Sequence, residues 1–178
     1  MRPLIIGVGG GHSGAGKTPV ACLILRSFAG WGAIKYTKTR LYASIIDDPE
    51  VLSEEGKDTR KFIDAGAAKV LWVKSPYSEL GEVMPVALGM LSHLQGIVVE
   101  GNSAIETATP DIVIFVCGAD ERMKNSAQTI LQMADVVIAR SHKPPATPQR
   151  AILFEENKGT ELVRYLSGLI ANYSRDID

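Results

Sequence analysis

Pro3-Leu4-Ile5-Ile6-Gly7-Val8 runs through Gly9-Gly10 into Gly11-His12-Ser13-Gly14-Ala15-Gly16-Lys17-Thr18-Pro19, and this passage decides how the chain is read. A short apolar run bounded by glycines predicts a strand buried on both faces, the kind found inside a parallel sheet. Downstream, Val20, Leu23, Ile24 and Phe28 recur at helical spacing, so a helix is expected from about Lys17 to Phe28. Between strand and helix stands a turn of the form G-x-x-x-x-G-K-[ST]. Its glycines let the backbone curl until several N–H groups point at one place, and the helix adds the positive end of its dipole there.

Working outward, short β-rich runs alternate with helical stretches, the pattern of βαβ units. Strands are expected at Ala33–Tyr36, Lys69–Val73, Gly96–Glu100, Asp111–Val116, Asp135–Ala139 and, last and short, Ile152–Phe154. Helices are expected at Lys57–Ala65, Glu79–Leu94 (despite Pro85 and Gly89), Arg122–Met133 and Gly159–Tyr173. The stretch from Thr37 to Gly56 has no clear period, with a turn or loop at Asp47-Asp48-Pro49. A Thr/Ala-rich loop is expected after Glu100, and His142–Gln149 reads as an extended connection. The whole describes one three-layer α/β domain over residues 1–178 with a mostly parallel central sheet, a P-loop NTPase fold.

The turn's chemistry is that of a phosphate cradle. Gly11, His12, Ser13, Gly14, Ala15, Gly16, Lys17, Thr18 and Pro19 are the candidate nucleotide-binding residues. Lys17 is expected at the β- and γ-phosphates of GTP or ATP, and the Thr18 hydroxyl on Mg²⁺. Ile97-Val98-Val99-Glu100-Gly101 ends a strand on a carboxylate, and polar groups at the carboxyl ends of parallel strands face the ligand crevice. Glu100 is read as a metal or water-orienting carboxylate, the alternative being a solvated strand end. In Ile34-Lys35-Tyr36-Thr37-Lys38-Thr39-Arg40, Lys35 and Lys38 are expected near the γ-phosphate or an acceptor anion, against the alternative of a solvated basic loop. Asp58, in Gly56-Lys57-Asp58-Thr59-Arg60, is either a helix cap or a further metal ligand. The candidate catalytic set is Lys17, Glu100 and Lys35; the candidate metal set is Thr18, Asp58 and Glu100.

The bulk numbers exclude other classes. The net charge is −1, with 19 Lys and Arg against 20 Asp and Glu, so no general basic field favours nucleic acid or an anionic membrane. Cys22 and Cys117 lie far apart in apolar runs and read as buried small hydrophobes in a reducing compartment. His12, His93 and His142 do not cluster as metal ligands. No run is long enough to cross a bilayer, and Arg2-Pro3-Leu4-Ile5-Ile6 is too brief for a secretory leader. A cytoplasmic protein is expected.

The set Gly11–Thr18, Ile34-Lys35-Tyr36-Thr37-Lys38, Gly56–Arg60 with Ala65-Gly66-Ala67, and Val98-Val99-Glu100-Gly101 resembles the molybdopterin-guanine dinucleotide biosynthesis protein B (MobB) family, in matching order over about the first 116 residues. That family belongs to the same broad class as dethiobiotin synthetase. The resemblance implies a homodimer that binds GTP with Mg²⁺ and assists a guanylyltransferase. The chain departs from the family's pattern at Tyr36 and Lys38, where histidines are usual, and at Asn102-Ser103. The guanine-reading Asn-Lys-x-Asp is absent, with Ala139-Arg140-Ser141-His142-Lys143 in its place, so GTP follows from the resemblance alone. The leading expectation is a slowly hydrolysing GTP-binding accessory. The alternatives are a small-molecule kinase or ATP-dependent synthetase, or a nucleotide-operated switch whose Thr37–Gly56 segment reorders.

Overall fold

The computed structural model describes residues 2–118, 123–139, 144 and 146–175. Eight strands form one sheet in the order β3-β4-β2-β5-β1-β6-β7-β8. They are β1 (Leu4–Gly10), β2 (Trp31–Lys38), β3 (Ser44–Ile46), β4 (Val70–Ser75), β5 (Gly96–Glu100), β6 (Ile112–Val116), β7 (Val136–Ala139) and β8 (Ile152–Glu155). Every neighbouring pair is parallel except β3 with β4. The helices are α1 (Lys17–Ser27), α2 (Pro49–Leu52), α3 (Asp58–Asp64), α4 (Leu80–Met90), α5 (Asn102–Ala108), α6 (Asn125–Met133) and α7 (Gly159–Arg175).

Strand side chains alternate between two covered faces. Val8, Ala33, Val98, Ile114 and Ile138 pack against α1, α3 and α7. Ile34, Leu71, Val73, Ile97 and Val99 meet α4, while Val113, Phe115 and Val137 meet α5 and α6. This is why the central strands read as continuous apolar runs rather than alternating ones. Three layers result, the α/β class read from the sequence.

Three segments differ from the reading above. The loop expected after Glu100 is helix α5: Ala104, Ile105 and Ala108 bury one face, and packing outweighs the weak helix propensity of its Thr, Ser and Asn residues. The close approach of α5 and α6 to β1 depends on Gly9, where a Cβ would come within 2.6 Å of Ile130 on α6 and 3.0 Å of Asn102 on α5. The patternless segment after Thr37 contains β3 and α2. There Asp48 accepts a hydrogen bond from Glu50 N at 2.9 Å as an N-cap, with Pro49 at the first helical position, so the expected turn is a helix start. Finally, α4 stops at Met90 and the chain turns tightly from Leu88 to Leu94. Pro85 is tolerated because it lies on the helix's exposed face, where water can reach the carbonyl it leaves without a donor.

Candidate functional site

The connection from β1 leads through α1 to β2 on one side of the sheet, while that from β5 leads through α5 to β6 on the other. The adjacent carboxyl ends of β1 and β5 therefore part in opposite directions, and a crevice opens where such chains separate. A cleft of about 570 Å³ lies there. Its lining includes Gly10, His12 to Gly14, Gly16 to Pro19, Lys35, Asp58 and Glu100.

The glycine turn hangs from the strand ends. Gly11 N donates to Val116 O at 3.1 Å, and Gly11 O accepts from Lys124 N at 3.0 Å. Gly14 and Gly16 have φ of 84° and 99°, a left-handed conformation that side chains resist. Gly16 immediately precedes α1, which has no side-chain cap, so the first N–H groups of the helix are left for a ligand. Ala15 is buried beneath the turn and Ser13 is exposed. His12 folds its ring back over Gly118, where a Cβ would lie 1.8 Å from Nε2, and its Nδ1 donates to Ser13 O at 2.5 Å.

Lys17 Nζ crosses the turn to donate to His12 O at 2.7 Å. Burial pulls its pKa down; the attraction of Glu100 opposes this, and repulsion from Lys35 and Lys124 adds to the depression. A desolvated ammonium of this kind is stabilised by an arriving anion.

Thr18 and Glu100, far apart in sequence, meet: Thr18 Oγ1 donates to Glu100 Oε2 at 3.0 Å. Glu100 is 1% exposed. Its other oxygen accepts from Lys35 Nζ at 2.5 Å, and that ammonium also reaches Asp58 Oδ2 at 2.6 Å. Lys35 and Glu100 are direct partners in the parallel register of β2 and β5, so both side chains emerge on the α1 face. Burial would lower the Lys35 pKa, but the charge of Glu100 and hydrogen bonds from both carboxylates raise it overall. Burial would raise Asp58; the hydrogen bonds from Lys35 and Lys61 hold it below the ordinary value.

The structure thus brings Lys17, Thr18, Lys35, Asp58 and Glu100 together. Asp58 is not a side-chain cap, since Lys57 holds the N-cap position; its two oxygens accept from Lys35 and from Lys61, the latter at 3.0 Å. Lys38 does not join them; it points to the other face of β2 and is exposed. His93 is exposed near the end of the turn after α4. His142 and the Arg140–Lys143 segment considered for base reading lie outside the described residues, as does the expected start of α6 at Arg122. Among the described residues, no group of three or more His, Cys, Asp and Glu side chains is arranged to hold a metal on its own.

Lys61, Lys124 and Ser126 also line the cleft and were missed in the sequence. Lys61 lies one helical turn after Asp58, a spacing that signals a pair; Lys124 carried no local signal. A smaller hollow of about 110 Å³ adjoins the cleft at Gly16 and Pro19, between α1 and the β8–α7 junction. No described helix is long and apolar enough to cross a membrane.

No protein-family model matches the chain, and no curated protein sequence matches it. Among solved structures, a plasmid partition protein from Borrelia burgdorferi aligns with a TM-score of 0.48 and 14% identity, over 99% of this chain and 100% of that one. An iodide-soaked crystal of such a protein from the same organism gives a TM-score of 0.47 and 15% identity, over 98% and 99%.

Proposed function

We propose that the chain binds a nucleoside triphosphate with Mg²⁺ in the cleft at the ends of β1 and β5, takes GTP in preference to ATP, and hydrolyses it slowly. The observation that carries this reading is the 3.0 Å contact of Thr18 with Glu100 beside the glycine turn. It sets a hydroxyl and a carboxylate together where the β- and γ-phosphates would lie. Both are hard oxygen donors, and Mg²⁺ takes few protein ligands, completing its octahedron with water and phosphate. The donor set suits it. When bound, the metal would neutralise charge on the phosphates.

Within this reading Lys17 exchanges its carbonyl partner for phosphate oxygens, and the open N–H groups of α1 add to the cradle. Glu100 orients a metal-bound or attacking water. Lys35, fixed by Glu100 and Asp58, places a positive charge near the γ-phosphate, where removal from bulk water strengthens its effect. The nucleotide's base is assigned to the side of the cleft where Gly16 and Pro19 adjoin the smaller hollow.

The finer role follows the MobB resemblance of Gly56–Arg60 and Val98–Gly101: a cytoplasmic homodimer assisting a nucleotidyltransferase in assembling the molybdopterin guanine dinucleotide cofactor. A second reading is transfer of phosphate to a small molecule, as in dethiobiotin synthetase-type enzymes. It is favoured by the extension of the cleft past the glycine turn to Tyr36, Lys61 and Ser103, more room than phosphates alone require.

Thermal unfolding with GTP, GDP, ATP and ADP, each with and without Mg²⁺, tests the proposal, since a ligand of the folded state raises its melting temperature. Mg²⁺-dependent stabilisation by triphosphates, greatest for GTP, is the expected result. No stabilisation by any nucleotide overturns the site, and stabilisation by ATP above GTP overturns the MobB-like role.

A further inference from the structure

Gly56-Lys57-Asp58-Thr59 does more than deliver Asp58 to the cleft. Together with Lys35, Thr37 and Trp72 it walls a second hollow of about 210 Å³. Both hollows are lined by Lys35 and Asp58. Lys35 and Trp72 are register partners on the parallel strands β2 and β4, and the turn into α3 closes the side. Like the phosphate cleft, the hollow lies toward the carboxyl ends of parallel strands, where such sheets bind ligands.

The lining is rich in donors. Trp72 Nε1 donates to Thr37 Oγ1 at 2.9 Å, which leaves the hydroxyl's own proton available. The Lys57 and Lys74 ammoniums lie 4.7 and 4.9 Å from the Trp72 ring centroid, within cation–π range. Lys57 is steadied by Glu54 at 2.7 Å and by Val51 O at 3.2 Å. Lys35 has three N–H donors, of which the carboxylates of Asp58 and Glu100 engage two. Gly56, with φ of 83°, has nothing within 4 Å of the position a Cβ would take, so the turn stands clear of its surroundings. Asp58 is the one carboxylate among the lining residues, and lysines already hold it.

We propose that this hollow binds a small oxyanion, a carboxylate or a phosphate monoester, as a second ligand beside the nucleotide. Lys35 links the two sites, and the Trp72 ring with the Lys57 ammonium beside it forms the far wall. The ligand's role as a co-substrate or effector rests on the neighbouring cleft being a triphosphate site; its binding does not.

Trp72 itself supplies the readout. The chain's other tryptophan, Trp31, is buried in the core, so indole fluorescence can be followed during titration with inorganic phosphate and, separately, with malonate, each with and without Mg²⁺ and nucleotide. A saturable change with one of these anions is expected, persisting in the presence of nucleotide, and which anion acts decides between phosphate and carboxylate. Thr37→Val and Lys57→Gln are each expected to raise the half-saturating concentration about fivefold or more, the scale of one lost hydrogen bond or charge contact. Lys17→Ala is expected to leave it within about twofold. The near-isosteric Thr37→Val keeps the test valid if Lys57→Gln fails to fold. Absence of saturation with both anions overturns the proposal, as does a titration that responds to Lys17→Ala but not to Thr37→Val, which would place the ion in the glycine turn. Unchanged nucleotide affinity in folded Lys17→Ala, with the Thr37→Val effect intact, would instead remove the triphosphate reading and leave this site standing.

Discussion

The side-chain amide of Asn102 holds Gly10 from both sides: its Oδ1 accepts from Gly10 N at 3.0 Å, and its Nδ2 donates to Gly10 O at 3.0 Å. The first residue of α5 thereby pins the end of β1, immediately before the glycine turn. A residue that marks a departure from the MobB pattern in the sequence is a structural clasp of the glycine turn. Asn102→Ala removes both bonds and leaves two backbone groups in want of partners, so a loss of about 1–3 kcal/mol in folding stability is expected. Nucleotide affinity is expected to fall roughly tenfold as the turn loses its anchor. Denaturant unfolding and a nucleotide titration check the two effects, and unchanged values in both would show the clasp to be dispensable.

Lys17→Ala is expected to weaken triphosphate binding by about 1.5–3 kcal/mol, ten- to a hundredfold or more, while the protein stays folded. The mutation removes a half-buried ammonium whose contact is a loop carbonyl, not a member of the apolar core. Circular dichroism with a binding isotherm measures both, and full affinity in a folded mutant would defeat the phosphate-cradle assignment.

Glu100→Gln keeps the side chain's shape but loses the charge that faces Lys35 and Thr18. Turnover is expected to fall much more than nucleotide affinity, because the carboxylate is assigned to metal and water and not to the base. Steady-state hydrolysis at saturating Mg²⁺ tests this; near-normal turnover would leave Glu100 with a purely structural role.

Lys35→Met separates the proposed functions. In a GTP-binding accessory it should weaken triphosphate more than diphosphate binding; in a phosphotransferase it should cripple turnover with only a modest loss of affinity. Equal losses for GTP, GDP, ATP and ADP, or none, would support neither. The substitution also leaves Glu100 buried without its counter-ion, and removing one partner of such a pair costs about 3 kcal/mol. The double mutant Lys35→Met/Glu100→Gln is expected to recover part of that stability, as chemical denaturation would show.

The pH dependence of stability follows from the same cluster. Asp58 has a folded pKa below its unfolded value, so its contribution is present above the unfolded value and is lost as pH falls through the folded one. Lys35 has a folded pKa above its unfolded value, so its contribution is full below the unfolded value and lost as pH rises through the folded one. Wild type should therefore lose stability on both limbs, and Lys35→Met should flatten the alkaline limb. Melting curves across pH decide this, and an unaltered alkaline limb in the mutant would remove Lys35 from the account.

The strand–turn–helix from Leu4 to Ser27 was legible in the sequence because its determinants are local. Apolar run, glycine spacing and helical periodicity each act over a few residues, and they fixed the places of Lys17, Thr18 and the strand-end Glu100. The order of the strands was decided only in the tertiary structure. Nothing near Glu100 in sequence says that β5 inserts between β1 and β2, yet that insertion sets Glu100 against Thr18 and opposite Lys35. The same holds for α5, whose weak intrinsic helicity is overcome by burying Ala104, Ile105 and Ala108, and for Lys61, Lys124 and Trp72, which long-range packing brings to the two hollows. Periodicity along a chain records which face of an element is apolar; which neighbour covers that face depends on the free energy of the assembled sheet, and with it which charges meet.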